Sequence, residues 1–217
     1  MSNFPGSPRL LKGGIVLVDP QTGAVKRIIA LQYNPDTLTR TLQIKGAGGE
    51  SPDRSEALRL KGPPIETIKV EVEIDATDQL ELGDGQATQV GLHPQLAALE
   101  LIVYPTSAQL NSNNQLAQSG TLEIAPMEAP LTLFIWSKNR ILPVRLTEFS
   151  ITEEAFDVNL NPIRAKVSLG MRGLSVDDLG FDVRGGSLFM TYLQTKEQLA
   201  AASPNGTFGA LGIGGIS

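Results

Sequence analysis

The sequence predicts a mainly β protein with one or two helices, an α+β chain. Three observations carry this. Ile68, Val70, Val72 and Ile74 alternate with Lys69, Glu71, Glu73 and Asp75, the period of a strand wet on one face. The chain holds 22 Gly and 14 Pro, enough punctuation for many turns and short strands. Aromatic residues make up only 5%, so the core rests on Val, Ile and Leu, which suit strands.

In order, Lys12–Val18 reads as a first strand and Val25–Tyr33 as a second, joined through the Asp19-Pro20-Gln21-Thr22-Gly23 turn. Asn34-Pro35-Asp36 bends the chain, because Pro removes a donor and disfavours helix at the residue before it. Thr39–Lys45 resumes as a strand. Gly46–Pro64 is a long polar loop with room for a short helix at Ser55–Leu60. Ile65–Asp75 is the alternating strand. Gln86–Val103 reads as a helix with Pro94 in a first turn and Leu96, Leu99 and Val103 on one stripe. Thr106–Gly120 carries no pattern and reads as a loop. Leu131–Trp136, Arg140–Thr152 and Phe156–Arg172 form three consecutive strands. Ser187–Ala202 is a second helix, with Leu188, Tyr192, Lys196 and Leu199 near one face. Ser203–Ser217 is a Gly/Ala-rich tail expected to be flexible in the free protein. The division expected is a β domain over 1–175, followed by a helix and tail over 176–217.

At 217 residues and 41% hydrophobic, the chain can bury a sizeable core. A net charge of -5, with no block of like charges, argues against broad electrostatic binding of nucleic acid. The absence of Cys excludes disulfides and Cys-based metal sites. Met1–Pro8 lacks the charged and apolar regions of a secretory signal, and no apolar run approaches the roughly 20 residues that span a bilayer. The expectation is a cytoplasmic chain without direct membrane insertion.

Chemistry is sparse. His93 is the single histidine and stands at a helix start, too little for a triad or a multi-His zinc site. Glu153-Glu154 and Asp177-Asp178 are adjacent in sequence, so neither pair faces inward as a dyad. Asp75, Asp78, Glu81 and Asp84 lack the spacing of a calcium loop and read as solvated loop acids. Gly46-Ala47-Gly48-Gly49 precedes no Lys-Ser/Thr pair, and Gly212–Gly215 opens no helix, so neither cradles a phosphate. No catalytic residue, cofactor or metal is expected. Trp136 reads as a core anchor at a sheet rim with its indole N–H on a backbone carbonyl, or else as an interface hot spot.

Four segments together resemble the tube-like N-terminal domain of contractile injection systems, the phage-tail-like machines of bacteria. They are the aromatic-Asn-Pro turn in Leu31-Gln32-Tyr33-Asn34-Pro35-Asp36-Thr37-Leu38, and the strand and acidic turn Val70–Asp78. The helix leading into Leu101-Ile102-Val103-Tyr104-Pro105 is the third. The last is Pro130–Trp136 followed by Phe156 and Asn161-Pro162-Ile163-Arg164-Ala165-Lys166-Val167. The order covers most of residues 12–175. Ser137 stands where the family commonly has Gly after the Trp, and Asn161-Pro162 where it often has Gly-x-Pro. Asn161 tolerates the left-handed backbone that such a turn needs. Residues 173–217 hold one helix and a Gly-rich tail rather than a LysM-like module, which argues against direct cell-wall binding.

The resemblance implies a tail-tube-like β-barrel or sandwich that assembles into a ring by completing sheets across neighbours. It implies a structural, non-enzymatic subunit in a homo-oligomeric, six-fold ring. Its neighbours would be inner-tube, spike/hub, sheath or cap proteins of the same particle. The reading is a baseplate adaptor ring between hub and inner tube or sheath; a cap-side ring at the distal tube end is the alternative. A metal-dependent β-barrel enzyme or small-molecule binder, and a monomeric carbohydrate- or peptide-binding sandwich, are readings of other classes. Interface candidates are Tyr33, Asn34, Pro35, Trp136, Asn161, Pro162 and Arg164, with Arg164–Val167 offered to a neighbouring strand. The loop Gly46–Pro64 and the tail are expected to become ordered only on assembly.

Overall fold

The computed structural model describes residues 11–46, 58–120 and 129–216. The chain is mainly β, an α+β fold on one seven-stranded antiparallel sheet. The strands are β1 (Gly14–Val18), β2 (Val25–Ala30), β3 (Leu38–Gln43), β4 (Ile65–Asp75), β5 (Leu131–Ile135), β6 (Ile141–Phe156) and β7 (Pro162–Gly173). Their spatial order is β2-β1-β5-β6-β7-β4-β3. The helices are α1 (Thr77–Glu81), α2 (Gly85–Val90), α3 (His93–Glu100), α4 (Ser107–Gln118), α5 (Val176–Leu179) and α6 (Arg184–Ala201).

The sheet is strongly curved. The Leu31 amide extends the β1–β2 ladder by donating to the Gly13 carbonyl at 2.9 Å. The next residue, Gln32, clasps the backbone of Asp75 in β4. Its Nε2 donates to the Asp75 carbonyl at 2.6 Å, and its Oε1 accepts from the Asp75 amide at 2.9 Å. In a flat sheet β1 and β4, four spacings apart in this order, would lie roughly 19 Å from each other. A Gln side chain cannot cross that gap, so the sheet curls toward a barrel that stays open between β2 and β4.

The core fills one face of this curve. Ile15 and Leu17, Ile68 to Ile74 at every second position, Phe134, Leu142 and Val144, and Ala165 to Met171 at every second position form one buried cluster. Leu96 and Leu99 of α3 and Phe189 and Tyr192 of α6 join it. A smaller cluster lies on the opposite face of β1 and β5, where Val18, Leu131 and Leu133 meet Leu179 of α5 and Leu188 of α6. Gly14–Val18 and Leu131–Ile135 are therefore covered on both faces, which is why their sequences run nearly continuously apolar. β4 is covered on one face only, and its sequence alternates.

The helical content exceeds the expectation for physical reasons. The segment Gln86–Val103 breaks into α2 and α3 at Gly91, whose φ of +54 is a left-handed conformation. The break lets the Leu92 amide donate to the Pro162 carbonyl at 2.9 Å, docking the β6–β7 turn on the two helices. Residues 107–118, expected as loop, form α4. Thr106 and Gln109 close a capping box around its first turn, and the helix buries none of its residues. The acidic turn after β4 contains α1. Of the short helix expected at Ser55–Leu60, the first part lies outside the described residues; Leu60 makes an isolated antiparallel bridge to Gly46 instead. The tail forms a 3-10 turn at Phe208–Leu211.

Candidate assembly surface

The uncovered face of β4, β7 and β6 is a ladder of charge. Lys69 Nζ meets Glu148 Oε2 at 3.0 Å, Lys166 Nζ meets Glu154 Oε1 at 3.1 Å, and Arg164 Nε meets Asp75 Oδ2 at 2.9 Å and Glu73 Oε1 at 3.6 Å. The first of these pairs reaches over β7 at Gly170, between Lys69 and Glu148 in the register. A Cβ on Gly170 would stand 2.8 Å from the Glu148 Cβ, so the ladder needs the missing side chain. Asp75 is pushed up by partial burial, but hydrogen bonding from Thr77 and Arg164 outweighs this and holds its carboxyl below the ordinary value. Asp75 in turn raises the Arg164 guanidinium, and Glu154 raises the Lys166 ammonium. Exposed pairs of this kind each stabilise by only about 0–1 kcal/mol. The face is thus ionic and wet rather than a source of stability.

Among the described residues, both sides of this half-sheet carry free backbone. β3 pairs with β4 on one side and stands at the sheet edge on the other. β5 pairs with β6 only from Ile141 to Val144, so Arg145–Phe156 has β7 on one side and no strand on the other among the described residues. The two free sides overlap in height. β3 spans the level of Ile65 to Val70, whereas Arg145 is level with Thr67 and Glu154 with Asp75 through β7. Their faces also correspond. Leu38 shares a face with Ile68 and the core, as do Phe149 and Ile151; Thr39 and Thr41 share the wet face with Ser150 and Thr152. Leu42 is 50% exposed and Ile44 is 74% exposed at the β3 end. Unpaired strands of this length need covering or they aggregate.

The sequence-derived interface residues divide between this surface and internal clamps. Tyr33 is exposed and Pro35 half-buried, in a recess of about 360 Å³ that Glu71, Glu73 and Lys166 of the wet face complete. Asn34 is a clamp: its Oδ1 accepts from the Gly13 amide at 2.9 Å and its Nδ2 donates to the Leu11 carbonyl at 2.7 Å. Arg164 lies on the charged ladder. Pro162 is fully buried, and Asn161 Nδ2 donates to Asp157 Oδ2 at 2.8 Å and to the Gln89 carbonyl at 3.1 Å, so both residues hold the turn against α2.

Two expectations are corrected. β7 has β6 on one side and β4 on the other, so Arg164–Val167 has no free backbone for a neighbour. The left-handed residue of the β6–β7 turn is Leu160, at φ 64, not Asn161. Asp157 occupies Asn161 instead, and hydrogen bonds from the Asn161 side chain and amide hold the Asp157 carboxyl below its ordinary value. Ser137 does take a left-handed φ of 75, the conformation for which Gly is the natural choice.

Trp136 stands apart from these residues. Its ring stacks on Phe134 at 5.8 Å between centroids and 19° between planes, and packs on Gly13. It is half-buried, and its indole N–H finds no hydrogen-bond partner, backbone carbonyl included, among the described residues. It borders a recess of about 390 Å³ with Arg40, Arg140, Tyr192 and Lys196.

Beneath that recess lies a feature the sequence analysis did not identify. Glu66, with 8% of its side chain exposed, takes Arg40 at 2.6 Å and Lys196 at 3.2 Å. The Tyr192 hydroxyl is 3.1 Å from one Glu66 carboxylate oxygen and 3.2 Å from the other. Lys196 also sits 4.1 Å above the Tyr192 ring. The cluster ties α6 to β3 and β4. Its signal was present: Glu66 has the parity of Ile68 and Val70, and Arg40 the parity of Leu38. Two ionic residues at core-facing positions must find partners.

The acids around Asp75–Asp84 serve local structure. Asp75 Oδ1 accepts from the Thr77 amide, and Asp84 caps α2 by accepting from Gln86 and Ala87. Among the described residues no group of three or more His, Cys, Asp or Glu side chains is placed to hold a metal ion. Nor is any helix long and apolar enough to cross a membrane. Comparison with protein-family models and with curated proteins finds no match to this chain.

Proposed function

We propose that the chain is a structural subunit of a contractile, phage-tail-like particle, forming an adaptor ring between the spike hub and the inner tube. The observation that carries this reading is the half-sheet β3-β4-β7-β6, polar on one face and, among the described residues, free on both sides. In a ring whose axis runs along the strands, the free side of β3 in one copy meets the Arg145–Phe156 overhang of β6 in the next. The strands alternate in direction across β3, β4, β7 and β6, so this junction is antiparallel, like those inside the chain. Core-side apolar residues then meet core-side apolar residues, and the charged ladder lines a continuous wet channel wall. The contact is heterologous, using two different surfaces, so rotation can close it into a ring. The aromatic-Asn-Pro segment borders the same face, in keeping with the family resemblance.

Native mass spectrometry and negative-stain electron microscopy of the purified chain test the reading. A closed ring, reduced to monomer in Leu42→Lys with the thermal melt unchanged, is the expected result. A wild-type chain that stays monomeric up to high micromolar concentration overturns it.

A further inference from the structure

The opening of the sheet holds a second site. Between the free side of β2 and the core face of β4 lies a cavity of about 550 Å³, with α1 and α3 forming the rest of its wall. Ile29, Leu31, Val72, Ile74, Leu82 and Leu99 make its lining mostly apolar, with Lys12, Arg27 and Asp78 also on it. Gln95 of α3 also lines it, and Gln95 Oε1 is buried with no hydrogen-bond partner among the described residues. A buried acceptor of this kind calls for a donor. On its open side β2 has no strand partner among the described residues, since it ends the sheet there. The site therefore suits an extended segment with apolar side chains and at least one spare N–H.

The chain itself carries such a segment. Residues 203–216 contain no charged residue. They follow α6 as an exposed run in which Phe208, Leu211, Ile213 and Ile216 are all large, apolar and solvated. Fourteen residues extend to roughly 45–50 Å, ample for reaching a neighbouring molecule. The glycines between the apolar residues allow close approach to a strand edge.

We propose that the tail of a second copy adds as an extra strand to the free side of β2. Its apolar side chains fill the cavity, and one of its backbone amides donates to Gln95 Oε1. Edge addition of this type supplies affinity through main-chain hydrogen bonds and selectivity through alternate side chains. The inference rests on the ring reading only for the source of the tail, a neighbouring copy.

The chain has no cysteine, so cross-linking has no background. Ile29→Cys and Leu211→Cys chains, one isotopically labelled, are mixed and gently oxidised, and the mixed disulfide dimer is read by mass. A disulfide needs the two Cα atoms within about 7 Å. The mixed dimer is expected at least tenfold above that from Leu116→Cys, an exposed position on α4, mixed with Leu211→Cys. Rings that form without this excess overturn the tail placement and leave the ring reading standing. A double variant that closes its disulfide within one monomer overturns the second-copy assignment. A chain that neither assembles nor cross-links overturns both readings.

Discussion

At the scale of single residues, Glu66 shows how one buried carboxylate organises its surroundings. Burial pushes its carboxyl up, but the charges of Lys196 and Arg40 outweigh this, and the group sits below its ordinary value. The native state thus takes up this proton at lower pH than the unfolded chain does. The stabilisation is complete above the unfolded value, about pH 4.3–4.5, and is lost as pH falls through the native one. Glu66→Gln leaves two cations without their counter-charge and is expected to destabilise by about 2–4 kcal/mol at pH 7. Denaturant unfolding at pH 7 and at pH 3.5 checks this: the gap between wild type and variant must shrink at the lower pH. Leu160 offers the opposite case. Its left-handed φ of 64 costs about 1 kcal/mol, and its side chain is 77% exposed, so little packing compensates. Leu160→Gly is expected to raise stability by about 0.5 kcal/mol, or roughly 1–2 °C in Tm for a chain of this size, measured by calorimetry.

At the scale of elements, β7 is the strand on which the others depend. It pairs along nearly its whole length with both β6 and β4, and its core-side residues Ala165, Val167, Leu169 and Met171 are all buried. On its wet side Gly170 leaves the space over which Lys69 and Glu148 join. Gly170→Val places a branched side chain into that space. The expected cost is about 1–3 kcal/mol, mostly from overpacking against Glu148, because the exposed ion pair itself contributes little. A Lys69→Ala chain that loses as much stability as Gly170→Val would overturn that division. The same element explains a misreading. Arg164–Val167 has the sequence of an ordinary amphipathic strand, and nothing local distinguishes a central strand from an edge.

At the scale of the whole molecule, the curvature decides where free surfaces lie. Gln32 closes β1–β2 onto β4 and leaves β2, β3 and the β6 overhang with unpaired sides among the described residues. A flat sheet would leave two straight edges; this one leaves a charged, wet face flanked by two edges and a separate apolar opening beside β2. The proposed ring would close through the first pair, and the proposed tail strand would add at the second. The prediction proper to this scale is that ring mass and the cross-link between positions 29 and 211 appear together in the assembled protein. Removal of the tail residues Ser203–Ser217 is expected to weaken assembly, with a monomer melt within about 0.5 kcal/mol of wild type, since those described from 203 to 216 are all exposed.

The sequence by itself determined the mainly β class, all seven strands to within a few residues at most ends, the wet face of β4 and the C-terminal helix. These depend on period-two alternation, apolar runs and turn residues, all local properties that a short window expresses. Only the tertiary structure decided which strands are central, that Glu66 and Arg40 meet Tyr192 and Lys196 across more than 120 positions of sequence, and that the cavity beside β2 exists. Those features arise from long-range pairing and from how far the sheet curls. Closing them is a matter of loop entropy and packing summed over the whole chain, and no single segment records the outcome.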